Sequence, residues 1–158
     1  MDDPRASRAA AKAEHPDLGV LAGRLLFAVQ GALFGRLAAE GFDDLRPQHG
    51  AVLAWLDADG SRATDLARRS GQHKQVVGKL VDELEALGYV ERHPDPDDRR
   101  AKLVVPTARG RRQMARSDAI VADLEGELGA AVGPEAYAQF DAGLRAVVEA
   151  AGTVGGPR

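Results

Sequence analysis

Residues 65–106 read DLARRSGQHKQVVGKLVDELEALGYVERHPDPDDRRAKLVVP, and the order of elements in this stretch decides the fold. Within it, Val77, Leu80, Val81, Leu84 and Leu87 recur at spacings of three and four, which predicts one apolar helix face over residues 73–87, ended by Gly88. At about 100° per residue the opposite side carries Gln75, Lys79, Asp82 and Ala86, with Gly78 at its edge. That side is polar and basic at its start and acidic towards its end. Just upstream, SRATDLARRSG predicts a short helix with Ser61 as its N-cap, Asp65 in its first turn and Gly71 at its end. Downstream, YVER and KLVV are β-prone pieces of a hairpin whose insert sets three aspartates beside Arg99 and Arg100 and breaks the backbone with prolines.

Outward from this stretch the periodicity is helical in both directions. PQHGAVLAWL predicts a helix with Pro in its first turn. Before it, Leu18, Leu21, Leu25, Val29, Leu33 and Leu37 stripe one side of a long helix over residues 18–40. After the hairpin, Met114, Val121, Leu124 and Leu128 keep a three-four rhythm, and beyond the Gly133-Pro134 break Tyr137, Phe140, Leu144, Val147 and Ala151 repeat it. Residues 1–16 and 153–158 read as disordered tails.

The 158 residues suit one domain with a real core. Aromatics are only 4%, so that core has to be built mainly from Leu, Val and Ala. The absence of cysteine excludes disulfides, thiolate metal sites and thiol redox sensing. No run reads as the roughly 18 apolar residues of a membrane span, and no secretion-type apolar region opens the chain, so a cytoplasmic location without membrane partner is expected. The net charge of −3 is unevenly spread: Ser61 to Arg112 holds 12 Lys and Arg against 8 Asp and Glu, while the remainder holds 9 against 16. A surface for a polyanion therefore belongs in the middle of the chain.

Helix, helix, tight turn, helix, then hairpin is the order of a winged helix-turn-helix. A helix about 10–12 Å across fits the major groove of B-DNA, and its N-terminal turns reach base edges first. Polar and basic residues are wanted there, as Gln75 and Lys79 provide. From Leu45 to Gly110 the sequence resembles the MarR-type (multiple antibiotic resistance) transcriptional regulators. The resemblance is carried by LRPQHGAVLAWL, by the run from Asp65 to the wing, by the Leu84-Glu-x-x-Gly-Tyr-Val-x-Arg92 step, by Asp98-Arg99-Arg100, and by the Thr107-x-x-Gly110 helix entry.

The resemblance implies a mainly α fold of about six helices with a two- or three-stranded β wing. It also implies a homodimer that binds a pseudo-palindromic operator and is released by a small aromatic or lipophilic effector, most often as a repressor. Residues 17–46 and 107–152 would be dimerisation helices and residues 47–106 the DNA-binding lobe, with the wing over about 89–105. Uncovered apolar stripes near both ends of the chain point to a partner subunit independently.

The expected DNA contacts are Gln72, His73, Lys74, Gln75 and Lys79, with Asp98, Arg99 and Arg100 on the wing. The resemblance points to Asp98 as the acid that orients the wing and to Arg100, with Arg99 as the alternative, as the residue that enters a narrow A·T-rich minor groove. The chain departs from the family pattern at His73, a poorer cap than Ser or Thr, and at Gly78, which weakens the helix by about 0.8–1 kcal/mol relative to Ala. His49 and Trp55 are the expected effector-pocket residues, although Trp55 also reads as plain core. The four histidines are scattered, so no metal site is expected, and no cofactor. With no phosphate loop, nucleophile elbow or HExxH, no catalytic residues are assigned and the protein is not read as an enzyme. The alternative is a sequence-tolerant DNA-binding or protein-contacting winged helix without effector.

Overall fold

The computed structural model describes residues 4–98 and 100–154. The elements are α1 (Pro4–Glu14), α2 (Leu18–Ala39), a 3₁₀ turn (Pro47–His49), α3 (Gly50–Leu53), β1 (Ser61–Arg62), α4 (Ala63–Ser70), α5 (Lys74–Ala86), β2 (Val90–Pro94), β3 (Lys102–Pro106), α6 (Ala108–Val132) and α7 (Pro134–Val154). The fold is mainly helical with a small antiparallel sheet in the order β1-β3-β2. Two compact units divide the chain, Met1–Ser117 and Asp118–Arg158.

The core of the first unit forms where the periodicity placed it. Val77, Leu80, Val81 and Leu84 of α5 are buried and meet Val52, Leu53, Leu56, Leu66, Tyr89, Val90 and Val104. Burying each such side chain contributes about 1.5–3 kcal/mol, which fixes the inward face of α5 and so its outward face. The hairpin runs in the register Val90↔Pro106 to Pro94↔Lys102, and β1 joins its other edge at Ser61↔Val104.

Four expectations are corrected. Ser61 is not a helix cap: it lies in β1, and its hydroxyl donates to Asp57 Oδ2 (2.8 Å) and accepts the Asp57 N–H (3.1 Å), while Arg62 leads into α4 with extended backbone and no side-chain cap. The helix expected over PQHGAVLAWL is a 3₁₀ turn running into α3, which ends at Leu53, so Trp55 lies past it, in a turn, 46% exposed rather than in the core. Residues Pro4–Glu14, expected in a tail, form α1, for which five alanines and a proline at the first helical position supply the propensity. Lastly, α2 is long and apolar enough to cross a membrane by length and composition, at 22 residues with a mean hydropathy of 1.6 over its best window.

The apolar stripe of α2 is only partly covered within the chain, with Leu25, Val29 and Leu33 half-buried. Leu37 alone is fully buried in that helix, while Leu18, Leu21, Leu26 and Phe27 are exposed. In the second unit Gly133, at φ +96, breaks α6 from α7, and Pro134 opens α7. Leu128, Val132, Phe140, Leu144, Val147 and Val148 of that unit are likewise exposed.

Candidate nucleic-acid interface

The turn between α4 and α5 is built by three residues. Gly71 ends α4 in the left-handed conformation (φ 67, ψ 15), Gln72 donates its N–H to Ala67 O (3.1 Å), and His73 is extended and caps α5, its Nδ1 accepting the Gln75 N–H at 3.4 Å. The unusual cap is therefore formed, though long. Gln72, His73, Lys74 and Gln75 are all exposed at the start of α5, and the Lys79 side chain is 80% exposed. The free N–H groups and positive dipole end of α5 add to this basic surface. Towards the other end of the helix, Asp82 and Glu85 both pair with Arg92 of β2, which offsets the acidic half of the outward face.

The wing tip is held by two carboxylates, and the sequence reading named only one. Asp98 closes the turn: its carbonyl accepts the Ala101 N–H (2.8 Å) and its Oδ1 the Arg100 N–H (3.0 Å), leaving the Arg100 side chain exposed. Asp95, only 4% exposed, anchors the base of the tip. Its Oδ2 accepts from Arg62 Nε (2.6 Å) and Nη2 (2.5 Å), and its Oδ1 accepts the Asp97 N–H (2.9 Å). Asp95 and Arg62 were thus missed as wing-orienting residues; the Asp-Pro-Asp spacing of an Asx turn was the signal available. Arg99 lies outside the described residues.

The Asp97 N–H, followed by the Arg62 guanidinium, holds the Asp95 carboxyl below its ordinary 3.8 against the opposing effect of burial. A carboxylate depressed in the folded state stabilises fully above its unfolded pKa and loses this contribution as the pH falls through the folded value. Thermal unfolding followed from pH 7 to pH 3 should therefore show an acid limb below about pH 4, shallower in Arg62→Met; an unchanged limb in that variant would remove the anchor role.

The two expected effector-pocket residues part company. Trp55 lines a cleft of about 660 Å³ together with Leu26, Gln48, Val76, Lys79 and Glu83. His49 is buried and borders a smaller cavity of about 270 Å³ with Asp44 and Arg46. Its Nδ1 accepts the Arg46 N–H (3.1 Å), which leaves the ring proton on Nε2 to donate to Glu83 Oε2 at 3.1 Å. That hydrogen bond is the main reason Glu83 sits below the ordinary carboxylate range; Gln48 and Lys79 add to it and burial opposes. Glu83 borders both cavities, so His49 acts on the larger cleft through it.

Comparison with known proteins decides the family. Residues 43–101 match the MarR family profile, from before α3 through α4, α5 and β2 to the wing tip, ending before β3. CouR from Rhodococcus jostii RHA1, solved bound to p-coumaroyl-CoA, is 31% identical over 84% of this chain and 92% of that one, with a TM-score of 0.66. A MarR family transcriptional regulator from Rhodococcus sp. RHA1 gives 31% over 83% and 91%, again at 0.66. The chain belongs to the MarR family of transcriptional regulators. CouR has also been solved on a 23-mer DNA duplex, at 27% identity, a TM-score of 0.68 and coverage of 84% and 92%. An uncharacterised HTH-type transcriptional regulator, YcgE of Bacillus subtilis (strain 168), is 42% identical over 50 residues, and the match spans about a third of that curated relative (32% of either chain).

Proposed function

We propose that this MarR-family chain is a cytoplasmic repressor that binds a pseudo-palindromic operator as a homodimer and is released by a small-molecule effector. One observation carries the DNA-binding surface: the buried face of α5 turns Gln75 and Lys79 outward, and Asp98 and Arg100 of the wing tip are exposed as well. In this reading α5 enters the major groove. Gln75 meets adenine or a phosphate, Lys79 guanine or a phosphate, and Lys74, Gln72 and His73 the backbone. The wing, held by Asp98 and Asp95, offers Arg99 and Arg100 to the minor groove, with Arg100 inserting. CouR bound to DNA supports DNA binding, and CouR bound to p-coumaroyl-CoA supports a small-molecule effector with an aromatic group.

The exposed apolar residues of α2, α6 and α7 supply the dimer surface, which accounts for a helix as apolar as α2 without a membrane. An effector acts by binding the DNA-incompetent arrangement of the two subunits more tightly, and its effect is bounded by that difference in affinity.

Titrating salt against matched specific and random duplexes tests this reading. Steep salt dependence with a large specificity ratio is expected; equal affinity for both duplexes overturns the operator. With the specific duplex, Lys79→Ala should weaken binding about 5- to 150-fold, the equivalent of about 1–3 kcal/mol, and relax preference at one position in each half-site. Arg100→Ala should lose affinity mainly for A·T-rich flanks, and wild-type binding by both variants would refute these contacts.

A further inference from the structure

The C-terminal end of α5 is held by a residue of another helix. Leu87 is the C-cap of α5, so its carbonyl has no partner further along that helix, and Arg109 Nη1, from the first turn of α6, donates to it at 2.7 Å. A cation at this end also meets the negative pole of the helix dipole. Through Nη2 the same guanidinium donates to Asp44 Oδ2 at 3.0 Å, and its carbon lies 4.3 Å from the centroid of the Tyr89 ring. Tyr89 is fully buried, and its hydroxyl donates to the other Asp44 oxygen at 2.6 Å. Asp44 belongs to the segment that follows α2, whose Phe42 ring lies 6.3 Å from that of Tyr89. One side chain therefore fastens together the end of α5, the start of α6 and the chain leaving α2. Arginine suits this place because its planar fork serves acceptors on two elements while its face stacks on an aromatic ring.

We propose that Arg109 is a positioning residue that fixes the end of α5 relative to α2 and α6, and so sets how strictly the protein reads the spacing between two half-sites. This role rests on the reading of α5 as the groove helix and of the chain as a homodimer, in which α2 and α6 carry part of the subunit surface. Inserting one base pair between half-sites moves one of them by about 3.4 Å along the duplex and turns it by about 35°. A dimer whose α5 is fixed in each subunit cannot follow both changes and loses the gain of the second contact. One whose α5 can swing recovers part of that gain. Arg109 is none of the expected DNA contacts, so its loss should alter spacing tolerance rather than affinity for one half-site. Lys79→Ala, by contrast, should weaken binding at every spacing.

The test uses a duplex recovered from a random pool, the same duplex with one base pair inserted or removed at its centre, and a duplex carrying a single half-site. Wild type should lose at least about tenfold in affinity when the spacing changes, part of the avidity of two linked contacts. In Arg109→Met that loss should shrink by at least about threefold, the size of one net hydrogen bond. Arg112→Met removes the same charge from an exposed side chain three residues on, and it should keep the wild-type spacing loss. Relative to that control, Arg109→Met should bind the single half-site within about twofold. Tyr89→Phe deletes only the hydroxyl on Asp44 and should move spacing tolerance in the same direction by less, which decides the matter if Arg109→Met does not fold. Wild-type spacing losses in both variants overturn the role, and so does an Arg109→Met defect of equal size at every spacing and on the single half-site. Either result leaves duplex binding by wild type intact. A wild type that binds no duplex, or binds only as a monomer, fails the groove or the dimer reading itself, and the role of Arg109 falls with it.

Discussion

For the proposed homodimer, Phe27→Glu in α2 and Val148→Glu in α7, made separately, are each expected to give a monomer and to weaken binding to the proposed operator by about 10²- to 10⁴-fold. The fold range is the avidity lost when two linked half-site contacts become one. Both side chains are well exposed in the single chain, Phe27 at 72% and Val148 at 64%, so a carboxylate there costs the isolated fold little. In a subunit interface the same carboxylate has to be desolvated opposite apolar side chains, which costs several kcal/mol unless it finds a partner. Sedimentation velocity checks the mass and a gel shift checks the affinity, with circular dichroism to show that the monomer is folded. A mass unchanged in both variants would remove these faces from the interface and return the apolar surface of α2 to the question of what covers it.

The parts of this molecule that were readable in the sequence are those set by neighbours a few residues away. The buried face of α5 came from spacings of three and four, and all four of its buried residues, Val77, Leu80, Val81 and Leu84, were named by that periodicity. The Gly71 turn and the Gly133-Pro134 break were legible because each rests on the backbone preference of one or two residues. What was misread depends on residues far along the chain. Ser61 looks like a cap locally, but its place in β1 is set by pairing with Val104. Asp95 is buried because Arg62, 33 positions upstream, meets it, and His49 is held by Glu83, 34 positions downstream. Trp55 was weighed as core on hydrophobicity, yet α3 stops at Leu53 and the turn after it carries the ring to the cleft wall. Side-chain placement followed the same rule: the exposure of Gln75 and Lys79 on α5 was legible from one helix, whereas the wing anchor and the His49-Glu83-Lys79 chain needed three dimensions.

Gly110→Ala is expected to destabilise the protein by at least about 3 kcal/mol, the upper range for inserting one carbon into packed structure. Gly110 lies in the first turn of α6, where its N–H donates to Thr107 Oγ1 at 3.1 Å while the Thr107 hydroxyl donates to the Gly88 carbonyl at 2.7 Å. The Thr107 N–H also reaches Tyr89 O, at 3.0 Å, so the start of α6 is stitched to the backbone that leads into β2. A Cβ on residue 110 would sit 2.1 Å from the Tyr89 carbonyl oxygen and 3.1 Å from its carbon. Both are backbone atoms, so no rotamer change relieves the contact; either α6 or the strand has to move. Tyr89 itself has little freedom, because its ring is fully buried under the Arg109 guanidinium (4.3 Å) and its hydroxyl donates to Asp44 at 2.6 Å. The measurable result is a melting temperature lower by about 6–12 °C, taking about 2–4 °C per kcal/mol for a chain of this size. Gly78→Ala is the contrast: a Cβ there meets nothing within 4 Å in the middle of α5. It should raise stability by about 0.8–1 kcal/mol through helix propensity. If Gly110→Ala melted as wild type, the close approach of the first turn of α6 to the backbone leading into β2 would be wrong.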